Sequence, residues 1–594
     1  MCGLKRNDLN IERLVPDGLP SGKDILSEGI ELAKGIEIGK SAFLTEEGVE
    51  SELEYKLRLK EKGRISTHAQ FGLDTVEATV QGLRFLHNEA ARRGIRIDRF
   101  GLCMNQVMGL PPELRDKAPR GTGPVLAKQD DWDAIAQAAP IQPHFGDFVI
   151  GSPASVLNTT MALRAGATTI GNLGQYFTFE YAHWTDLITR TAETVKALGI
   201  MAALKGRGSL IHSYLDDGYG GLFTDYAATA GWAMIERFII EKLIGGKLAH
   251  GFGGLTSDPM TRLAWQTVLD RIHEGETVGS VLYGDTIDLT EDLERNQAIS
   301  ASCALLDILG QLRNPTAHAI APVPKTEPIR IPSPEEVVEA HVYARQMERE
   351  ARRLLPAVNF AQVDALAERI LQGGKRFFES ALTGLRGAGV DIHDPLELLI
   401  ALRNLGATEL ERLFGPGEKD ELYPKGRRPI LETDMTRKTL DLAADLVRKS
   451  AQEQPVSLHR VKILVASTDV HEYALLIILN LLRACGAELV NLGPSVESTE
   501  LLVEAISEFH PQVVVLTTHN GKALEYAKNL TAAMRQSQAN ALVIMGGKLN
   551  QNLGGELPVD VSADLDRMGI ITSTDLQDIP SMIRRHLPEL TSRG

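Results

Sequence analysis

Val461-Lys462-Ile463-Leu464-Val465-Ala466-Ser467-Thr468-Asp469-Val470-His471 decides how the C-terminal part of this chain folds. The apolar run reads as a buried strand that delivers an Asp-x-His pair to a loop, and a helix follows from Tyr473 to Cys485. Open α/β sheets bind ligands beyond the carboxyl ends of their strands, so this arrangement would hold an imidazole toward a large ligand above the sheet. Asp469 is placed to hydrogen-bond one ring nitrogen of His471, fixing the tautomer and raising the basicity of the other as a metal ligand. The bland alternative is a loop histidine beside a capping aspartate.

The residues downstream favour the ligand site. Gly486 to Gly493 reads as a second strand ending in a turn, and Leu501 to Phe509 as an amphipathic helix. Val513-Val514-Val515-Leu516 is a third strand, released into Thr517-Thr518-His519-Asn520-Gly521. A further helix leads to Ala541-Leu542-Val543-Ile544-Met545, which ends in Gly546-Gly547. Short apolar runs alternating with helical periods predict a doubly wound, Rossmann-like parallel sheet. Gly546 and Gly547 would let backbone approach a flat ligand with a nucleotide tail.

Residues from about 460 to 590 resemble the cobalamin-binding domain of vitamin B12 enzymes, whose pattern is D-x-H-x-x-G, then S-x-L, then G-G. Asp469 and His471 match the first motif, Thr517 stands for the serine, and Gly546 and Gly547 match the last. The resemblance implies that His471 is the lower axial ligand of cobalt and Asp469 its orienter, with Thr517, Gly546 and Gly547 lining a cleft for the displaced nucleotide tail. Ala474 replaces the glycine of the first motif and His519 the leucine of the second, which leaves cobalamin affinity open.

With 594 residues the chain has room for two large domains and a connecting module. A formal net charge of −15 argues against a nucleic-acid binder, because phosphate contacts need clustered Lys and Arg. Cys2, Cys103, Cys303 and Cys485 are scattered without zinc or redox spacing, which suggests a reducing compartment. No signal peptide and no bilayer-length apolar run is found, so the expectation is a cytoplasmic protein without membrane partners.

Four regions are expected: a helical arm over 1–60, a catalytic domain over 61–330, a helical linker module over 331–455 and the cobalamin domain over 456–594. In the second, strand-like runs end repeatedly in polar or glycine-rich loops. They are Ile65 to His68, Phe100 to Asn105, Phe148 to Gly151 and Thr168 to Asn172. Repeated βα units over such a length suit a (β/α)₈ TIM-type barrel with reactive groups at the carboxyl ends of its strands; a second doubly wound sheet is the alternative. The arm reads as a solvated segment or an oligomer contact, and a homodimer is among the expectations.

This half is similar to the large subunit of adenosylcobalamin-dependent glutamate mutase (methylaspartate mutase). The stretch His212-Ser213-Tyr214-Leu215-Asp216-Asp217-Gly218-Tyr219-Gly220-Gly221-Leu222-Phe223 resembles that family's histidine-to-Gly-Gly-Phe loop. His144-Phe145-Gly146 occupies the place of its Asn-Arg-Glu-Pro-Phe-Gly segment, but Ile141 to His144 lacks the substrate-binding arginine. The glutamate that contacts the substrate amine in that family has no clear counterpart near Asn172 to Gln175. The resemblance implies the same chemistry on a different substrate, with Gly220 and Gly221 approaching the adenosyl group. Candidate catalytic residues are His212, His144 and the guanidinia of Arg64, Arg120 and Arg207 as carboxylate ligands; taken alone, each arginine reads more readily as a surface charge. His68, Asn105, Gln175 and Tyr214 complete a polar lining, and Tyr176, Phe177, Phe179 and Tyr181 pack a ring face or core.

The helical module opens at Pro332-Ser333-Pro334, and its charged helix from Glu335 to Leu355 reads as a solvated connector. Such modules precede cobalamin domains in mutases and in corrinoid methyltransferases alike. The expectation is therefore a single-chain, adenosylcobalamin-dependent carbon-skeleton mutase, an isomerase acting by radical rearrangement on a small carboxylic or amino acid. The first alternative is a corrinoid methyltransferase using methylcobalamin, and the second a non-catalytic cobalamin sensor or carrier.

Overall fold

The computed structural model describes residues 11–118, 120–275, 279–316, 319–420, 423–453, 456–468, 472–493, 496, 498–519, 521–551 and 559–591. Contacts divide the chain into two units, 1–433 and 434–594.

Eight short parallel strands organise the first unit: β1 Ser66–Phe71, β2 Arg99–Leu102, β3 Gln142–His144, β4 Thr169–Ile170, β5 Leu210–Tyr214, β6 Leu248–Phe252, β7 Val281–Leu282 and β8 Ala319–Ile320. They form one four-stranded sheet of order β3-β2-β1-β8 and another of order β4-β5-β6-β7. Single parallel bridges, Phe145 to Ile170 and Tyr283 to Ala321, join residues at the seams of the two sheets. Helices follow the strands in turn, including Val76–Arg92, Leu187–Ala203, Tyr226–Arg237, Pro259–Ile272 and Leu293–Arg313. Their apolar faces merge into one core that runs from Leu14 to Phe414.

Two expectations change here. The apolar run Phe148 to Gly151 is a buried turn, and the strand lies earlier, at the polar Gln142–His144. An inward-facing strand that carries functional side chains need not be apolar. The charged helix read as a connector, Pro334–Leu354, buries Val337, Val338, Ala340, His341, Ala344 and Ala351 and packs against Leu293–Arg313 and Val76–Arg92. Its spacing of small and branched residues gives one packed stripe beneath a solvated charged face. The following helices Ala361–Gly387 and Pro395–Phe414 also belong to this unit. Ala361–Gly387 crosses Tyr226–Arg237 at Gly374 and Gly231. A Cβ on Gly231 would lie 2.6 Å from the Gly374 carbonyl oxygen, which is why both positions are glycine.

The second unit holds a five-stranded parallel sheet. Its strands are β9 Lys462–Ser467, β10 Glu488–Gly493, β11 Val513–Thr518 and β12 Leu542–Gly547. A hairpin of β13 Asn550–Gln551 and β14 Val559–Asp560 then precedes β15 Ile571–Ser573. The sheet order is β10-β9-β11-β12-β15 and every pairing is parallel, the parallel sheet being what the alternation of apolar runs and helical periods predicts. Ile463, Val465, Val513, Val515 and Ile544 face one core, and Leu464, Ala466, Val514, Leu516 and Met545 the other. Helix Asp434–Glu453 packs on helix Glu472–Ala484 through Leu446, Ile477 and Leu481.

Candidate functional sites

In the second unit the chain changes direction across the sheet between β9 and β11, the switch point at which doubly wound sheets bind ligands. Asp469 and His471, just past β9, lie outside the described residues. The groups around that point are well defined. Thr517 pairs in register with Ser467 on one side and Gly546 on the other, and the Thr468 N–H donates to the Thr517 carbonyl at 2.9 Å. The hydroxyls of Thr468 and Thr517 are buried and have no hydrogen-bond partner among the described residues. An unpaired buried hydroxyl costs about 1–3 kcal/mol, so two together at a switch point fit groups awaiting a polar ligand. Gly547 takes φ 96°, and a Cβ there would lie 2.4 Å from the Thr518 carbonyl oxygen. Ala474, the departure from the first motif, is buried on the helix that follows β9.

In the first unit, side chains from non-adjacent strands meet inside the parallel array. His144 on β3 and His212 on β5 have ring centroids 5.3 Å apart, although β4 separates their strands. His68 on β1 lies 6.3 Å from His144, and Tyr214 on β5 lies 4.8 Å from His212 and 5.7 Å from Tyr283. Arg99 on β2 donates to His68 Nδ1 at 3.0 Å, because a guanidinium has no acceptor to offer. Burial first, and the Arg99 charge second, hold all three imidazoles well below their usual pKa, so they are neutral. His144 Nδ1 meets the Thr169 carbonyl at 2.9 Å and therefore carries the proton. Its Nε2 keeps the lone pair and has no partner among the described residues.

The amino end of the array is sealed by helix Glu52–Glu61. Glu52 Oε1 lies 2.6 Å from Lys56 Nζ and 2.8 Å from Arg99 Nε, all three side chains being almost fully buried. Burial raises the Glu52 pKa, but the Arg99 and Lys56 charges outweigh it and bring it below the ordinary value. Burial pushes Lys56 down to about 8.

At the carboxyl end, three aspartates stand on the loops after β3 and β5. Asp147 receives a hydrogen bond from Gln175 Nε2 at 3.2 Å, and Asp217 one from Asn172 Nδ2 at 2.7 Å. Asp216 accepts the Gly253 and Gly254 N–H groups, each at 2.9 Å. Burial first and the Asp147 carboxylate second raise the pKa of Asp217, and burial raises that of Asp147.

His144 and His212 thus come together, with His68 and Tyr214 beside them. Arg64 is exposed just before β1, and Arg207 is exposed before β5, both at the amino ends of their strands. Arg120 lies after β2 but is exposed and paired with Asp116 at 2.8 Å. The structure does not bring these three guanidinia to the histidines; the buried guanidinium beside them is Arg99. Gly220 and Gly221 make a tight turn, where a Cβ would strike Leu215 and Asp216 carbonyl oxygens at 2.7 and 2.3 Å, so the loop's own backbone accounts for both. Asn105 caps a short turn and binds the Gly121 carbonyl. Sequence reasoning missed Arg99, Asp147, Asp216 and Asp217. The Asp216-Asp217 pair directly after a strand ending in His-Ser-Tyr was the available signal.

Residues 460–555 match the family model described as B12 binding domain. The second unit therefore carries a cobalamin-binding domain, and cobalamin is the cofactor it serves. No curated protein matches the chain. Among solved structures, a cobalamin-binding protein from Desulfitobacterium hafniense DCB-2 shares 24% identity, covering 25% of this chain and 70% of that one with a TM-score of 0.20. The methanol:cobalamin methyltransferase complex of Methanosarcina barkeri shares 13% identity over 41% of this chain and 74% of that one, with a TM-score of 0.19. Among the described residues no helix is long and apolar enough to cross a membrane.

Proposed function

We propose that the protein is an adenosylcobalamin-dependent carbon-skeleton mutase, an isomerase that rearranges a small carboxylic or amino acid. Its first unit would be a closed (β/α)₈ barrel, a reading supported by the parallel β8–β1 pairing and the two seam bridges. Adenosylcobalamin, when bound, supplies a carbon radical, and the protein's task is then position and exclusion. His471 would be the protein's ligand to cobalt with Asp469 orienting it, while Thr517, Gly546 and Gly547 would accept the nucleotide tail.

The observation that carries this reading is the set of buried, uncharged imidazoles in the first unit. His68, His144 and His212 are buried and uncharged, and Tyr214 stands beside them. Such groups hydrogen-bond a carbonyl or carboxylate and hold it still without offering water or a strong nucleophile. Arg99, buried beneath them, adds one fixed positive charge that orients an acid. The test is deuterium transfer with the full chain: labelled substrate candidates should place deuterium on the 5′ carbon of the adenosyl group. Turnover of methylcobalamin with a thiol or folate acceptor, and no such transfer, would replace the mutase with a methyltransferase.

A further inference from the structure

Helix Glu52–Glu61 has a second side. Where its first turn meets the segments that enter β5 and β6, a cleft of about 530 Å³ opens at the amino end of the strand array. That volume is in the range of small-molecule sites. Ile38, Leu53 and Leu57 give it an apolar wall, and Leu57 is 44% exposed. The acids at its rim are engaged with cations outside it, Glu50 with Lys40 at 2.6 Å and Glu54 with Arg58 at 2.5 Å. Lys205 donates to the Gly245 carbonyl at 2.8 Å, whereas the lining side chains of Arg207 and Lys247 have no partner among the described residues. Independently of these cations, Ser51 lines the cleft while only 5% exposed. Its oxygen accepts the Glu54 N–H at 3.2 Å, but its own O–H is donated to no described residue. Gly208 takes φ 86°, and a Cβ there would lie 2.2 Å from the Ser51 oxygen, so glycine at this position keeps the hydroxyl uncovered.

We propose that this cleft binds a phosphomonoester with an apolar body, its phosphate held by Arg207, Lys247 and the Ser51 hydroxyl and its body laid on Ile38, Leu53 and Leu57. A phosphomonoester carries about −1.5 to −2 charges near pH 7, which two cations match, and a guanidinium fork grips two of its oxygens at once. The first turn of the 10-residue helix adds the positive end of its dipole. A cationic ligand fits worse, because the acids here are already paired and the unpaired charges are positive. Arg207 and Lys247 precede β5 and β6, at the opposite end of the array from the loops that carry Asp147, Asp216 and Asp217. The ligand is therefore an effector and not the substrate. The helix that begins at the cleft turns Glu52 and Lys56 inward onto the Arg99 network, so one element touches both the ligand and the buried charges beneath the histidines.

Ligand-observed NMR titration of the cobalamin-loaded full chain with phenyl phosphate, inorganic phosphate and benzyl alcohol tests this. Phenyl phosphate should bind about tenfold or more tighter than either partial probe, and its affinity should fall as salt rises. Arg207→Gln and Lys247→Gln are exposed substitutions, and circular dichroism and cobalamin loading check that both fold. Each should weaken phenyl phosphate by about fivefold to tenfold and leave benzyl alcohol unchanged. Leu57→Asn should bring phenyl phosphate toward the affinity of inorganic phosphate. Equal affinity for the three probes, no detectable binding of phenyl phosphate, or a preference that survives both charge substitutions would overturn the site. A self-association of the chain that Arg207→Glu abolishes would give the cleft to a second copy and overturn it too. The titration involves no turnover, so a failed deuterium transfer would remove the mutase and leave this result standing.

Discussion

The two ends of the first unit's strand array treat charge in opposite ways. At the amino end, Glu52, Lys56 and Arg99 are buried in mutual contact, and Asp98 accepts from the Tyr55 hydroxyl at 2.7 Å and the Thr67 N–H at 2.8 Å. At the carboxyl end, Asp147 and Asp217 each take one side-chain hydrogen bond, and His144 Nε2 has no partner among the described residues. A closed network holds a fold together, whereas leftover acceptors await a ligand. The same contrast recurs in the second unit, where the sheet's flanks are apolar and the hydroxyls of Thr468 and Thr517, without a partner among the described residues, lie at the carboxyl edge.

The largest expected effect lies at the amino end. Glu52→Ala strands Lys56 and Arg99 as buried like charges and should destabilise the first unit by about 3–5 kcal/mol in denaturant unfolding. A change under about 1 kcal/mol would show that the network is solvated and the contrast false. Thr517→Val should act the other way, raising stability by about 1 kcal/mol by removing an unpaired hydroxyl while weakening cobalamin loading. Lost stability with unchanged loading would mean that the hydroxyl serves the fold. Asp217→Asn should leave stability within about 1 kcal/mol, since an amide oxygen at that position still accepts from Asn172 Nδ2; a larger loss would place Asp217 with the structural charges.

The smallest effect is on the pH dependence. Asp147, Asp216 and Asp217 have folded-state pKa values raised chiefly by burial, Asp216 to about 6. Groups raised on folding contribute stability that is complete below their unfolded pKa of about 4 and lost as pH rises through the folded value. The buried neutral histidines act in the opposite sense, so the sign is read in the difference between variants: the thermal midpoint of Asp217→Asn should rise relative to that of the unsubstituted protein between about pH 5 and pH 8. A difference that is flat or falls over this range would contradict the assignment.

The second unit was the more legible in sequence. Its central strands β9, β11 and β12 are buried on both faces and read as continuous apolar runs, and its glycines and hydroxyls fall where strands end. The first unit's strands are two to six residues long and carry Gln142, His144 and His212 inward, so apolar runs mark them poorly. That is why Phe148 to Gly151 was read as a strand in place of Gln142–His144. Arg99 precedes Phe100 and resembles any charge at a strand's start; only the fold shows it buried. Arg64 and Arg207 look like loop residues beside strands, and sequence alone does not give the end of the array on which a loop emerges. The stripe of Val337, His341 and Ala344 was masked by the many charges of its helix.

The central claim is radical rearrangement within the first unit. It is tested most directly by anaerobic EPR of the full chain loaded with adenosylcobalamin and mixed with a panel of small amino and carboxylic acids. The account predicts a paramagnetic signal that appears only with certain acids and shows coupling to an organic radical. Tight cofactor binding with no such signal for any acid, alongside methyl transfer from methylcobalamin, would contradict it.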